Sequence, residues 1–291
     1  MFEVKQLAEN TFYYEAYTNV GIYRLNEKQA VLIDSCDHKR MVKGLDRELE
    51  SMGLAVSLVI NTHCHVDHIC GNRYFQDKYG CRLLSTKKEQ SYIYYTETEA
   101  EFYNVALSVN KSNNPFYGAE PSKAELITPE NLPDGFEIID LPGHGFEMIG
   151  VRTPDDVVFL ADSVLSVSTW ENYKLPFFHD VNKSIETLEK ISGLKAALFV
   201  PSHNPPVEDI KELAQYNKKK LREKKQLVFD SCENKGFDEL FAVITEKEGL
   251  NLKTSQYCMY AVMVRNLLQS LIEDGVIYTE LENNIMVYHK K

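Results

Sequence analysis

The sequence lacks the cysteine spacing typical of disulfide-bonded proteins and the long apolar runs typical of membrane-spanning proteins. Its six cysteines form no Cys-x-x-Cys pair and no closely spaced framework, which predicts free thiols in a reducing compartment. No apolar run approaches the roughly 18 residues that a membrane helix needs. Residues 1–10 also lack a basic segment followed by an apolar one, so we expect a cytoplasmic protein with no membrane partner.

Positive charge is scarce, since 32 Lys and Arg residues stand against 43 Asp and Glu residues and the formal net charge is −11. Such an acidic chain repels nucleic acid and anionic lipid, which disfavours both as partners. One exception is the basic run KKKLREKK at residues 218–225, which we interpret as a solvated helix face or as a clamp for an anion such as RNA. The length of 291 residues and the 44% hydrophobic content indicate one large or two small globular domains.

Four predicted strands are each followed, within a few residues, by a histidine or an aspartate. The strands lie at residues 56–61, 136–141, 157–161 and 196–200, and the residues that follow them are His63, His144, Asp162 and His203. The first of these strands forms a β-α-β unit with a strand at residues 30–34 and a helix at residues 38–52. Loops at strand ends are where α/β proteins place catalytic groups.

The densest group of ligand-type side chains is HCHVDH at residues 63–68. Imidazole nitrogens and carboxylate oxygens bind zinc, iron and manganese, and groups this close would repel one another or lie desolvated without a cation. Alternate residues point to opposite sides of a tight loop, so His63 and His65 face one ion while Asp67 and His68 face a second, about 3.5–4 Å away. Three ligand-type residues elsewhere complete this arrangement: His144 at the first site, His203 at the second, and Asp162 as the bridge between them.

Five ordered motifs carry a family resemblance: VLID at residues 31–34, HCHVDH at 63–68, PGHG at 142–145, FLAD at 159–162 and PSH at 201–203. Together they resemble the metallo-β-lactamase superfamily, in particular its glyoxalase II-like hydrolase branch, over about residues 2–206. The resemblance implies an αββα sandwich, in which two mixed β-sheets lie face to face with helices outside and a two-metal site at one edge. It also implies that Asp34 orients ligands through hydrogen bonds without binding metal itself.

The activity that the resemblance implies is that of a metal-dependent hydrolase with two divalent ions, Zn²⁺ in the first place and Fe or Mn as alternatives. A hydroxide that bridges the two ions attacks a small carbonyl substrate, which is a thioester, an ester or a lactone. Asp67 and Asp162 are the expected catalytic residues. Asp67 hydrogen-bonds the nucleophile, and Asp162 bridges the ions.

Three other functions remain open. Relatives that carry a winged helix include RNA-cleaving enzymes, so the first alternative is a phosphodiesterase or endoribonuclease of the same fold. The second is a mononuclear iron persulfide dioxygenase, which uses a similar His/His/Asp set. The third, from a different class, is a metal-stabilised binding or regulatory protein. Metal content and the preferred substrate separate these functions.

Residues 207–291 are predicted to form a small helical domain that follows a catalytic domain at residues 1–206. Helices at 207–232 and 237–247, a longer helix and a terminal hairpin follow one another in the order of a winged-helix unit. A domain that reads DNA would be clearly basic, and this region is not. We therefore interpret it as a structural element, as the contact of a homo-oligomer, or as a wall of the substrate pocket.

Two groups of aromatic residues are expected to line an apolar cleft for a small-molecule substrate. One group lies between the second and third motifs and consists of Tyr92, Tyr94, Tyr95, Phe102, Tyr103, Phe116 and Tyr117. The other follows Asp162 and consists of Trp170, Tyr173, Phe177 and Phe178. Packing of these rings against the core is the alternative.

Overall fold

The computed structural model describes residues 3–98, 101 and 118–291, and within them the strands form three sheets. The first sheet contains, side by side in chain order, β1 (Glu3–Gln6), β2 (Thr11–Glu15), β3 (Val20–Arg24), β4 (Gln29–Ile33), β5 (Ala55–Ile60), β6 (Arg82–Ser85) and β7 (Glu125–Leu126). The second contains β8 (Glu137–Asp140), β9 (Ile149–Arg152), β10 (Val157–Ala161) and β11 (Leu198–Pro201), also in this order. The third is small and has β14 (Ile285–Lys290) between β12 (Lys235–Gly236) and β13 (Ile277–Glu282).

Helices connect these strands and cover the two larger sheets. In chain order they are α1 (Lys39–Ser51), α2 (Val66–Ile69), α3 (Asn72–Tyr79), α4 (Lys87–Tyr94), α5 (Val167–Tyr173), α6 (Val181–Ser192), α7 (Lys211–Ser231), α8 (Phe237–Lys247) and α9 (Thr254–Glu273). The helix predicted at residues 38–52 is α1, and the helix predicted at 237–247 is α8.

The two larger sheets pack face to face because their strands are apolar on both sides. In β4, Val31 and Ile33 point to one face, where they cluster with Phe159 and Val200 of the second sheet. Leu32 points to the opposite face and belongs to the cluster under α1 and α3. β10 alternates in the same way between the first sheet and the helices α6 and α7. The predicted αββα sandwich is therefore confirmed.

The strand ends that precede the predicted ligands meet at one edge of this sandwich. β4 and β5 are parallel, β10 and β11 are parallel, and β8 runs in the same direction as β10 because both pair antiparallel with β9. The carboxyl ends of parallel strands share an edge of a sheet, and the packing of the two sheets brings both edges together. The loops after β4, β5, β8, β10 and β11 consequently surround one site.

The helices after residue 207 pack on the outer side of the second sheet. α7 lies against α6, and α9 contacts both. Leu221 of α7 and Leu267 of α9 belong to the same buried cluster as Val158 of β10. The order of helices and terminal hairpin is the predicted one, whereas the division at residue 206 and the winged-helix assignment stay predictions.

All six cysteines are buried and free, as predicted. The Cys64 side chain lies in a small apolar cluster with Ile69 and Ile93, so it packs beside the predicted ligand loop as a small hydrophobic residue. None of the described helices combines the length and the apolar character needed to span a membrane.

Candidate metal centre

The seven predicted ligands converge at the shared strand edge in two groups that have Asp162 in common. The first group consists of His63, His65, His144 and Asp162, and the second of Asp67, His68, Asp162 and His203. Within each group, the nearest nitrogen or oxygen atoms all lie within 4.8 Å of one another. The structure thus places every predicted ligand in the group to which the sequence assigned it, and metal binding by these groups stays a prediction.

Three buried polar atoms that face the two groups support that prediction, because they have no hydrogen-bond partner. They are Nε2 of His63, Nε2 of His68 and Oδ1 of Asp162. Burial of such atoms without a partner is costly, and a cation between them removes the cost. Imidazole nitrogens with carboxylate oxygens suit zinc, iron or manganese, so the residues present fit two divalent ions.

Asp162 is placed to serve both groups. Its Oδ2 lies 3.4 Å from Nε2 of His144 in the first group and 3.2 Å from Nε2 of His203 in the second. Its Oδ1 lies 3.4 Å from Nε2 of His68. The two oxygens of one carboxylate therefore reach both groups, which is the geometry expected of a bridging ligand.

The loop after β5 divides the HCHVDH motif between the groups. His65 precedes α2 as its N-cap residue, and Asp67 and His68 lie within this short helix. The change from extended to helical backbone at His65 places Asp67 and His68 with Asp162 and His203, while the His68 ring stays 4.0 Å from that of His63. The helix is a feature that the prediction of a plain tight loop did not include, and it produces the same division of ligands.

The turn that carries His144 requires a glycine at position 143. Gly143 has a φ of +130°, and a Cβ atom there would come within 2.6 Å of the Ser184 backbone. Its carbonyl accepts a hydrogen bond from the Asp180 backbone N–H at 2.8 Å, and the His144 carbonyl accepts one from His179. The N-terminal end of α6 thus fixes the position of His144.

Asp34 orients one ligand in each group through hydrogen bonds. Its Oδ2 lies 2.7 Å from Nδ1 of His68 and accepts a 2.7 Å hydrogen bond from the Thr62 hydroxyl. That hydroxyl lies 3.1 Å from Nδ1 of His63, and because its one proton is donated to Asp34, its oxygen accepts a hydrogen bond from the His63 N–H. With Nδ1 as donor, both imidazoles keep Nε2 free for a metal ion. These hydrogen bonds agree with the role that the family resemblance implied for Asp34.

A second set of orienting residues lies between β2 and β3, and the sequence analysis missed it. The Tyr17 carbonyl lies 2.7 Å from Nδ1 of His203, and the Thr18 hydroxyl donates to Oδ2 of Asp67 at 2.9 Å. The Asn19 amide donates to the carbonyls of Pro201 and Asn204, which flank His203. These residues form an ordinary polar turn in the sequence, and only the packing of the two sheets brings them to the site.

The two groups differ in their electrostatics. Burial, with His144 close by, lowers the pKa of His65 to about 3. Burial alone would also lower the pKa of His68, but the carboxylates of Asp67 and Asp34 raise it well above its usual value. The first group therefore presents neutral imidazoles, the form that binds metal, and the second surrounds its imidazoles with negative charge that attracts a cation.

Glu89 of α4 is a further residue that the sequence analysis missed. Its side chain is fully buried, and burial raises the pKa of its carboxyl group. Its two oxygens accept hydrogen bonds from the backbone N–H groups of Cys64 at 2.9 Å and Glu147 at 2.7 Å. One carboxyl group therefore ties the loop that carries His63 and His65 to the loop that carries His144.

Replacement of Glu89 by Ala is expected to lower the free energy of unfolding by about 2–4 kcal/mol, because two buried N–H groups lose their acceptor. Displacement of the two loops should also weaken zinc binding by about 10–100-fold. Urea denaturation and competition with a chelator measure the two effects. Lys87→Ala, an exposed position on the same helix, is the control. Equal stability and equal zinc affinity in E89A and the control would contradict this role.

A cleft of about 550 Å³ opens onto five of the seven predicted ligands. Its apolar wall comes from Leu165, Tyr173, Pro176, Phe177 and Met259. The Phe177 ring lies 5.8 Å from that of His65 and 6.0 Å from that of His144. An apolar group of a bound molecule would therefore lie directly beside the predicted metal site.

The predicted aromatic lining is only partly correct. Tyr173 and Phe177 line the cleft, but Trp170 and Phe178 are buried in the core. Tyr94 and Tyr95 border a different surface depression beside β6, and Tyr92 stacks on Phe146. Four more predicted lining residues lie outside the described part of the chain: Phe102, Tyr103, Phe116 and Tyr117.

The C-terminal helices hold the wall of the cleft in place. In α9, the Tyr260 hydroxyl donates to the Tyr173 carbonyl and the Asn266 amide to the Phe178 carbonyl, both at 2.8 Å. In α7, the buried Asn217 exchanges hydrogen bonds with the Leu165 backbone N–H and carbonyl. Met259 of α9 lines the cleft itself. Of the roles predicted for residues 207–291, the structure supports that of a pocket wall.

Replacement of Asn266 by Ala is expected to raise the KM for an apolar substrate about 3–10-fold with a smaller change in kcat. The Phe178 carbonyl loses its donor, and the neighbouring Phe177 is no longer held against the site. Steady-state kinetics measure the effect. Gln269→Ala on the same helix, where the side chain is exposed and bonds Glu273, is the control. A change in kcat alone would show that Asn266 acts on something other than the cleft wall.

The basic run at residues 218–225 is largely neutralised by neighbouring carboxylates. Lys218 pairs with Glu189, and three further pairs follow along α7: Lys220 with Glu223 at 3.0 Å, Lys224 with Glu248 at 2.6 Å and Lys225 with Asp274 at 2.6 Å. These contacts favour the interpretation as a helix face over that as an anion clamp.

A sandwich with histidine and aspartate groups at the carboxyl ends of its strands is the architecture of a metallo-hydrolase. Comparison with known families agrees, since the model of the metallo-beta-lactamase superfamily matches residues 13–203. The match covers more than half of the chain, and this protein belongs to that superfamily. Members of the superfamily typically bind metal ions, and the sequence relatives described next are hydrolases by name.

Two curated relatives illustrate the similarity in sequence. A probable metallo-hydrolase of Methanocaldococcus jannaschii is 26% identical over 156 residues, which are 51% of this chain and 70% of that protein. A hydroxyacylglutathione hydrolase of Nitrobacter winogradskyi is 26% identical over 136 residues, which are 46% of this chain and 43% of that protein. The match thus spans less than half the length of this hydroxyacylglutathione hydrolase.

A solved structure extends the similarity in fold to the C-terminal helices. A beta-lactamase domain protein from Burkholderia ambifaria superposes with a TM-score of 0.74 at 16% identity. The superposition covers 99% of this chain and 93% of that one. At this level of identity the likeness shows a shared fold and no more.

Proposed function

We propose that the protein is a dinuclear zinc hydrolase of a small carbonyl substrate, a thioester, an ester or a lactone. The observation that carries this proposal is the apolar cleft, which opens onto two ligand groups that share Asp162. The name of the hydroxyacylglutathione hydrolase relative, which denotes cleavage of an acyl compound, supports the same class of substrate.

Two bound zinc ions would supply an acidified water molecule and a Lewis acid for the carbonyl oxygen. Asp162 connects the two groups, since its carboxylate contacts His144 in the first and His203 in the second. Asp67 is the most exposed carboxylate of the site, and the hydrogen bond from Thr18 fixes its orientation. It is therefore positioned to hydrogen-bond the attacking water. Phe177 and Leu165 exclude solvent and hold the acyl group beside the ligands.

The charges near the site disfavour cleavage of a phosphodiester or RNA. No lysine or arginine is found among the described residues that line the cleft. Lys218, Lys224 and Lys225 of the basic run are engaged with carboxylates. Proteins that bind RNA or another phosphodiester use lysine and arginine side chains to neutralise its negatively charged phosphates.

Metal analysis and paired substrates test the proposal. The purified protein, loaded with zinc and then dialysed, should contain two zinc ions per chain by plasma mass spectrometry. It should hydrolyse a generic aryl thioester at least about 100-fold faster than bis-p-nitrophenyl phosphate. One iron ion per chain with oxygen-dependent turnover of a persulfide would support the dioxygenase instead. Faster cleavage of the phosphodiester would support the nuclease.

A further inference from the structure

The described residues that line the cleft include carboxylates but no lysine or arginine. Apart from the predicted ligands, Asp37 is the one carboxylic acid among the described lining residues. The remaining lining is apolar or hydroxylic, and its apolar residues include Leu165, Phe177 and Met259. A carboxylate on a ligand would lose its hydration in this cleft and find no cationic side chain in return.

The backbone that leads to Asp37, a residue that lines the cleft, is anchored in the interior. Asp37 follows Cys36, which is fully buried and adopts a φ of +80°, in the segment between β4 and α1. The Ser35 backbone N–H donates to the His68 carbonyl at 2.8 Å, so this segment is anchored to the metal-ligand helix α2. The backbone that carries Asp37 is therefore anchored beside the predicted ligands, and Asp37 lines the cleft from there.

The two residues that follow Asp37, His38 and Lys39, are not among the described residues that line the cleft. Nδ1 of His38 lies 2.7 Å from Oδ1 of Asp37, and the Tyr17 ring stacks on His38 at 6.4 Å. The next residue, Lys39, turns its ammonium group to Glu120 at 2.6 Å. The lysine that follows Asp37 two positions along the chain is thus already paired.

We propose that the cleft selects against acyl compounds that carry an anionic group away from the scissile carbonyl, and that Asp37 is the residue that imposes this selection. The preferred substrates have an apolar acyl group and an uncharged or cationic leaving group. This inference rests on the proposed carbonyl hydrolysis and narrows its substrate class. It sets this chain apart from an enzyme for glutathione thioesters, because glutathione carries two carboxylates. Discrimination of this kind comes from a repulsive element as much as from attractive contacts.

Three matched thioesters of benzoic acid test the inference on the full-length, zinc-loaded protein. Their leaving groups are 3-mercaptopropionamide, which is neutral, thiocholine, whose quaternary ammonium group is cationic and cannot accept the acyl group, and 3-mercaptopropionate, which is anionic. We expect kcat/KM for the neutral and cationic thioesters to exceed that for the anionic one at least about tenfold. Benzoyl glutathione should be as poor a substrate as the anionic thioester.

Asp37→Asn removes the charge at constant shape and should reduce the ratio of neutral to anionic kcat/KM at least about fivefold. The matched control is Asp134→Asn, an exposed position outside the cleft, which should leave the ratio within about twofold of the wild-type value. Equal turnover of the anionic and neutral thioesters by the wild type would overturn the inference. An unchanged ratio in D37N would do so too.

A binding measurement separates this inference from the proposed function. Ketone analogues in which a methylene replaces the thioester sulfur cannot be hydrolysed, and calorimetry reports their dissociation constants. Tighter binding of the neutral than of the anionic ketone, with the preference reduced in D37N, supports the inference even if no thioester is turned over. Absence of turnover for all thioesters, esters and lactones counts against the proposed function alone. Equal binding of the two ketones counts against Asp37.

Discussion

Replacement of Asp162 by Ala is expected to reduce hydrolysis of a thioester at least about 1,000-fold. Among the residues that the structure describes, Asp162 is the one carboxylate that both groups share, and its oxygens reach His144 in the first group and His68 and His203 in the second. Its loss removes a predicted ligand from both groups at once, and the two groups then have no residue in common. A bound ion contributes several kcal/mol of transition-state stabilisation, and each 1.4 kcal/mol corresponds to about a tenfold change in rate.

The metal content of the same variant is the second measurement. We expect D162A to retain fewer than two zinc ions per chain after dialysis, as measured by plasma mass spectrometry. Asp67→Ala is the informative comparison, because Asp67 belongs to the second group alone and its loss should spare the ion of the first group. Asp134→Asn controls for the loss of one negative charge. A D162A protein with two zinc ions and near-normal turnover would show that Asp162 does not bridge the groups.

Replacement of Asp34 by Ala is expected to lower the free energy of unfolding by about 3–5 kcal/mol. Asp34 is almost fully buried and accepts hydrogen bonds from the Thr62 backbone N–H and hydroxyl and from His68. Its loss leaves these donors unpaired in the interior. Asp34 also adopts a φ of +64°, which aspartate tolerates better than alanine, and backbone strain adds to the loss. Urea denaturation measures the change.

Zinc affinity should fall together with stability in D34A, by about 10–100-fold, because His63 and His68 lose the contacts that orient them. Asp34→Asn separates the two causes of instability. It retains tolerance of the positive φ and an oxygen for the Thr62 N–H, but it removes the negative charge beside His68. We expect D34N to lose less stability than D34A and nearly as much zinc affinity. Equal zinc affinity in the wild type and both variants would refute the orienting role.

Much of the fold follows from local patterns in the sequence. The apolar runs of β4, β5 and β10 predicted the strands that form the sandwich, and amphipathic spacing predicted α1 and the C-terminal helices. Short elements were missed, among them β1, β6, α3, α4 and α5. They have four to eight residues and are too short to show a clear period, so contacts with the rest of the molecule decide their structure.

The ligand-type residues could be predicted because they stand beside strands whose ends the sequence marks. Parallel strands bring their carboxyl ends to one edge of a sheet. The sequence alone therefore predicted that His63, His144, Asp162 and His203 lie together. The residues that orient them could not be predicted in this way. Thr18 lies 49 residues from its partner Asp67, and the Tyr17 carbonyl lies 186 residues from His203.

The same distinction separates the chemistry of this protein from its selectivity. Residue type and strand position determined which side chains are able to bind metal, because imidazole and carboxylate groups behave alike wherever they meet. Only the tertiary structure decided what surrounds them. Glu89 joins two loops from a helix that the sequence did not reveal, and Tyr260 and Asn266 reach the cleft from the far end of the chain. Contacts of this kind depend on how helices and loops pack in the folded chain, so the sequence close to each residue does not predict them.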